Sequence, residues 1–263
     1  MPNTNLKILH EKSLVEIPSV IYKYRKWNNP EHRTIISDKE VYFSSPCKFD
    51  DPLDCSIPIR YDLLTDKDIY NDFLYHSKIN NPKWSRQQHR RYAREWTKKT
   101  PIKDKKYLEN AQKDFFEAFF DRFGVLSLTA NSISDDMWIK YADNYNGFCI
   151  GFNFEIIFKS VGGCGPVKYY DELPIIYPMP KHTEDEQHIL QAYSKLKKWE
   201  FEKEYRIDKF SFVPLTEKQR IIKLSAESYK ELIIGKGMND KDKSDLLKSI
   251  PDDLKLIKII EQK

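Results

Sequence analysis

The sequence predicts an α+β protein built on a mixed, mainly antiparallel sheet with an inserted helical segment. Short alternating runs dominate the second half of the chain, helical patterns interrupt the first half, and no regular strand–helix repeat of the doubly wound kind occurs. The chain has 263 residues, 40% hydrophobic and 32% charged, with 44 Lys plus Arg against 40 Asp plus Glu. That balance is globular rather than disordered, and the absence of an apolar run of 18 residues argues against a membrane span. The first residues, MPNTNLKILHEKSLVE, have no apolar middle between a charged head and a small-residue cleavage site, which predicts a cytoplasmic location.

Taken in chain order, residues 19–25 alternate so that Val20, Tyr22 and Tyr24 face one way and Ile21, Lys23 and Arg25 the other, the period of a strand. A second strand is expected at 41–45. Asp51 before Pro52 reads as a helix start, an N-cap acceptor followed by a residue with no amide to satisfy. Helices are expected from about 62 to 123. In the last of them Leu108, Ala111, Phe115, Phe116, Phe119, Phe120 and Phe123 form a wide stripe that calls for a packing partner, and Gly124 is its stop. Residues 125–129 read as a strand. Ser134 with Asp135 and Asp136 caps a short helix that runs to Tyr145 and closes at Asn146-Gly147. Strands follow at 148–154, 166–170, 204–213, 220–224, 231–234 and 255–260, with a capping box at Thr183–Glu186 opening a helix to about Trp199. No linker or internal repeat interrupts this, so the chain reads as a single α+β domain over 1–263 with a basic helical insertion at about 62–123.

Four cysteines with no C-x-x-C pair argue against a zinc knuckle or a disulfide framework, and the six histidines form no ligand-spaced pair. None of the eight glycines sits in a phosphate-cradling loop. The densest chemistry is at 199–207, WEFEKEYRI, where strand alternation would place Glu202, Glu204 and Arg206 on one face. Paired carboxylates beside a guanidinium suit glycosyl chemistry, since a carboxylate stabilises a positive sugar carbon and the second orients or deprotonates an acceptor. The same pattern also fits a strand face carrying an ion pair. Trp138, Tyr141 and Tyr145 at helical spacing mark a buried face or a ring that stacks on a base. Tyr22, Tyr24 and Arg25 on the first strand combine an aromatic face with a cation able to meet a phosphate. Asp51 and Asp54 with Glu202 and Glu204 would be the ligands of a divalent ion, but capping accounts for the aspartates more simply, and no metal is expected. Residues 82–106 carry ten basic side chains against Glu95 and Asp104, a local charge of +8. Lys83, Arg86, Arg90, Arg91 and Arg94 with Trp96 therefore fit a nucleic-acid surface, and equally a solvated helix face.

Together, YKYR at 22–25, FSSP at 43–46, FDDPLD at 49–54, MWIKYAD at 137–143, GFCIGF at 147–152, WEFEKEYR at 199–206 and LIIG at 232–235 resemble domain-of-unknown-function family 2971. Asp50 stands where that family has Asn. The block order is also similar to that of ADP-ribosyltransferases, which hold NAD in the cleft of a small split sheet. That resemblance implies an ADP-ribosyltransferase-like enzyme with NAD as substrate. In it Arg25 would hold the phosphate or ribose, Ser127 and Thr129 would support the site, Glu204 would be the catalytic glutamate and Glu202 would orient the acceptor. The acceptor would be a nucleic acid or a protein, in a toxin or anti-phage defence role. The alternative is a non-catalytic binding module in which Glu202, Glu204 and Arg206 are a structural ion-pair network, and a less favoured one is a metal-dependent phosphodiesterase.

Overall fold

The computed structural model describes residues 18–161 and 164–263. The N-terminal stretch read for a secretory leader lies outside them. The alternation at 20–25 becomes strand β1 (Val20–Arg25), and Asn29 then caps helix α1 (Pro30–Ser37), with Pro30 in its first turn. Strand β2 (Glu40–Tyr42) follows. The inserted segment holds α2 (Asp66–Asn80), α3 (Arg86–Lys99) and α4 (Lys105–Arg122), so the helical expectation for this region holds; α2 and α3 each start on a capping box. Strand β3 (Phe123–Thr129) begins directly after α4, and Gly124 lies inside the strand rather than stopping the helix. A side chain at Gly124 would meet Phe43 Cβ at 2.9 Å, which is why glycine fits there.

Helix α5 (Asp135–Tyr141) leads to β4 (Phe148–Asn153) and α6 (Phe154–Val161). The strand expected at 166–170 is divided into β5 (Cys164–Pro166) and β6 (Lys168–Tyr170). Helix α7 (Glu184–Ala192) ends well before Trp199. Its continuation is a strand, β7 (Ser194–Leu196), then a 3-10 turn to Glu202 and β8 (Glu204–Phe210). Strands β9 (Ile221–Lys223) and β10 (Tyr229–Ile234), helix α8 (Asp240–Lys248) and strand β11 (Lys258–Glu261) complete the chain.

The main sheet has the order β11-β10-β4-β1-β3-β8-β5, antiparallel except for the β10/β11 edge, and β2 with β9 and β6 with β7 form two small ribbons. It is therefore mixed and mainly antiparallel in an α+β protein. Its joint at the middle is narrow. Strand β1 pairs with β4 over six residues and β3 with β8 over seven, whereas β1 meets β3 only at Tyr22 opposite Thr129. Beyond that pair the two strands diverge, and Ser44 takes the freed edge of β3 by exchanging both backbone hydrogen bonds with Val125. One face of the sheet carries the larger core, with Ile21, Leu126, Leu128, Phe148, Ile150 and Ile207 among its members. The other carries Tyr24, Met137, Trp138, Cys149 and Ile233.

Between α5 and β4 the backbone turns through three left-handed residues, Asp143, Asn144 and Tyr145. Glycine is required on both sides of this turn. A Cβ at Gly147 would lie 2.2 Å from Arg25 O, and one at Gly235 would lie 2.1 Å from Tyr145 O. Gly147 thus lets the turn seat the end of β1. The aromatic stripe of α4 is covered only in part: no residue of that helix is fully buried, and its rings stack chiefly on one another, Phe115 on Phe119 at 6.0 Å and Phe116 on Phe120 at 5.8 Å. No described helix is long and apolar enough to cross a membrane.

Candidate functional site

A cleft of about 740 Å³ opens where β1 and β3 part. Register puts Tyr22 and Tyr24 on the same face of the sheet as Ser127, Thr129, Glu204 and Arg206, and Lys23 and Arg25 on the opposite face. Because the cleft runs through the gap between the strands, it is lined from both faces of β1. Tyr22, Lys23, Tyr24 and Arg25 form one wall, Ser44, Val125, Ser127 and Thr129 the other, and Asp54, Lys195, Glu202 and Glu204 the floor.

The floor is a buried charge network. Arg206 grips Glu204 with Nε to Oε1 at 2.8 Å and Nη2 to Oε2 at 3.0 Å, and donates from Nη2 to Asp54 Oδ2 at 2.7 Å. Its Nη1 donates to Ala192 O and Cys55 Sγ. The Lys195 ammonium contacts Glu202 Oε2, Glu204 Oε2 at 3.1 Å and Asp54 Oδ2 at 3.4 Å, where a cation shared by three carboxylates would sit. Glu202 Oε1 accepts from the Tyr141 hydroxyl. Burial by itself would raise the Glu204 carboxyl, but Arg206 and then Lys195 outweigh it and hold it far below the usual carboxylate range. For Lys195, burial opposes the charge while Glu204, Asp54 and Glu202 more than restore it, so its pKa lies above the ordinary lysine value. Asp51 is turned away, accepting from Trp199 Nε1 at 2.7 Å. Among the described residues no group of three or more acidic, His or Cys side chains is arranged to hold a metal ion.

The cationic wall is built differently. The Arg25 guanidinium forms no hydrogen bond or ion pair among the described residues, and burial lowers its pKa to about 10. Lys23 donates to Ser127 O, the carbonyl left behind where the β1 ladder stops, and has no carboxylate within ion-pair reach among the described residues. His32 adjoins them, pushed down to about 4 by burial and then by Arg25 and Lys23, with its Nδ1 accepting from Lys26 N at 3.3 Å.

The residues singled out from sequence divide accordingly. Tyr22, Tyr24, Arg25, Ser127, Thr129, Tyr141, Glu202 and Glu204 converge on the cleft. Arg206 does not: it is 0% exposed beneath Glu204, so it positions that carboxylate and cannot touch a ligand. Trp138 is likewise 0% exposed, packed between Tyr145 (parallel, 5.7 Å) and Tyr24 (edge-on, 5.0 Å), which removes it as a stacking platform. Glu202 reaches the site from a 3-10 turn and not from the strand face, because Lys203 adopts a left-handed conformation at φ 41° and breaks the alternation. Residues 49–54 form a turn, not a helix start, with Asp54 drawn inward to Arg206. Lys195 was not singled out at all, since the helix expected to run to Trp199 would have placed it on a helix face; the Ser194-Lys195-Leu196 strand centres it instead.

Lys83, Arg86, Arg90, Arg91 and Arg94 are exposed, four of them on α3, and make no ion pair among the described residues. Trp96 is 41% exposed but engages Phe73 at 6.0 Å and Tyr92 at 5.9 Å, and Trp84 packs on Tyr92 and His89. These rings chiefly close the α2/α3 hairpin.

With this geometry in place, residues 137–207 match the model of a family described as a protein of unknown function, DUF2971. The matched stretch carries Lys195, Glu202 and Glu204 of the floor, with Tyr141 and the Arg206 beneath it, while Asp54 and the β1 and β3 walls lie outside it. No curated protein and no solved structure matches the chain.

Proposed function

We propose that the cleft binds NAD and cleaves its nicotinamide glycosidic bond, passing ADP-ribose to a macromolecular acceptor, with nucleic acid on the α3 face the favoured one. The observation that carries this reading is the opposition, across a split in the sheet, of an Arg25 guanidinium without a hydrogen-bond or ion-pair partner among the described residues and the Glu204 carboxylate, which Arg206 and Lys195 hold ionised beside Glu202. The volume lies within the roughly 300–1,000 Å³ that cofactor-sized ligands occupy. Arg25 would hold a phosphate, Tyr22 and Tyr24 would offer ring edges, and Glu204, fixed by Arg206 and Lys195, would stabilise positive charge at the ribose carbon. Glu202, held by Tyr141 and Lys195, would orient the acceptor.

One observation favours the second reading, a non-catalytic nucleic-acid or protein binding module. Both carboxylates are already satisfied by protein groups, as in a network whose work is structural. The test is nicotinamide release from NAD, followed by mass spectrometry with and without RNA, DNA or lysate, for the wild type and Glu204→Gln. Release by the wild type that falls at least a hundredfold in a still-folded Glu204→Gln supports the enzyme. Absence of release under every condition, with RNA or DNA retained in a binding assay, supports the binding module.

A further inference from the structure

Three lysines line the cleft and differ in surroundings: the exposed Lys48 donates to the Tyr42 hydroxyl at 2.9 Å and meets Glu217 at 3.5 Å. Lys195 is enclosed by three carboxylates. Lys23, half-buried on β1, has the Ser127 carbonyl as its hydrogen-bond partner and stands two residues from Arg25 on the same strand face. A guanidinium beside an amine without a counter-ion is the arrangement that binds a phosphate while leaving the amine's lone pair available. We propose that Lys23 is a nucleophilic amine that condenses with the carbonyl carbon of a phosphorylated aldehyde, ring-opened sugar phosphates included, whose phosphate is held by Arg25.

In this step the neutral Nζ adds to the carbonyl carbon, the carbonyl oxygen leaves as water with the two amine hydrogens, and a C=N bond remains. No oxidant or reductant is needed. The groups facing Lys23 agree with it: burial and the neighbouring Arg25 lower its pKa well below the ordinary value, with Lys195 adding to the effect and only Glu204 and Glu202 opposing it. Each unit of lowering raises the neutral fraction about tenfold at a fixed pH, which separates this amine from exposed lysines. The inference does not rest on the NAD reading.

The experiment uses the full chain without NAD. Pyridoxal 5'-phosphate and, separately, pyridoxal are added at limiting concentration near neutral pH, the imine is trapped with borohydride, and the modified lysines are mapped by peptide mass spectrometry. Lys23 should be the dominant modified residue with the phosphorylated probe, at least about tenfold over any other lysine, and inorganic phosphate should suppress it. Lys195 should stay unmodified. Arg25→Gln, which removes no hydrogen bond or ion pair found among the described residues, should cut Lys23 labelling about tenfold and abolish the preference for the phosphorylated probe. Labelling spread over the exposed lysines, with Lys23 no faster than the rest, overturns the proposal. Dominant Lys23 labelling that ignores both the phosphate and Arg25→Gln overturns the phosphate half of it. Because the wild-type map decides the central point, the outcome does not depend on any variant folding.

Discussion

Replacing Lys195 with methionine keeps an unbranched side chain as far as Cε and removes the charged Nζ from among Asp54, Glu202 and Glu204. At an effective dielectric of about 20, each contact near 3 Å is worth roughly 5 kcal/mol of attraction before desolvation is subtracted. Taking one partner out of a buried network leaves a net loss of about 3–5 kcal/mol, because the remaining charges stay buried and under-compensated. For a chain of this size that is a fall in Tm of roughly 6–20 °C, measured by differential scanning calorimetry at pH 7. The loss has a pH signature. The Glu204 folded-state pKa is depressed below its ordinary 4.5, so its contribution to stability is complete above that value and fades as pH falls toward the depressed folded pKa. In Lys195→Met the depression is smaller, so the gap between wild type and variant should narrow once the pH drops below about 4.5. A variant that melts within about 2 °C of the wild type, or a gap that stays constant down to pH 3, would refute the account of Lys195 as the shared cation of the floor.

Two further perturbations test other parts of the molecule. Changing Arg90, Arg91 and Arg94 together to Gln should leave Tm unchanged within about 2 °C and flatten the salt dependence of duplex DNA binding by about 2–3 in log–log slope, read by fluorescence anisotropy; an unchanged slope removes α3 from the acceptor surface. Gly235→Ala forces a Cβ against the Tyr145 carbonyl, a backbone clash that no rotamer relieves, and should cost about 2–3 kcal/mol in urea titrations, where no change would show that the left-handed turn can shift freely.

Much of the scaffold was readable because alternation and caps are local. The period of residues 20–25, the Thr183–Glu186 box and the Ser134 cap each identify an element by neighbours within four positions. Helices α1 and α8, with Asn29 and Asn239 as their caps, carry the same kind of signal and show that Asn-led starts in short polar segments are easily passed over. The site was legible in composition but not in construction. The E-x-E-x-R run named Glu202, Glu204 and Arg206, yet the strand period misassigned how Glu202 arrives and could not reveal that Arg206 lies wholly beneath the surface. Lys195 and Asp54 join the network through contacts spanning 9 and 152 positions from Glu204 and Arg206, respectively, and such separations leave no periodic trace. The divergence of β1 from β3 is equally invisible, since each strand satisfies its own pattern whether or not the two stay paired.

That divergence has a mechanical meaning. The sheet consists of two plates, β11-β10-β4-β1 and β3-β8-β5, riveted at the Tyr22–Thr129 rung. Torsion about one rung strains neither plate's internal ladder, so the aperture between Arg25 and Ser127 is a coordinate held by side chains, Lys23 on Ser127 O and the core of Ile21, Leu126 and Leu128, and not by backbone pairing. A molecule spanning both plates acts as a second rivet and stiffens that coordinate. In hydrogen exchange the stiffening would be concentrated in the facing edges of β1 and β3, with the ladders inside each plate unaffected.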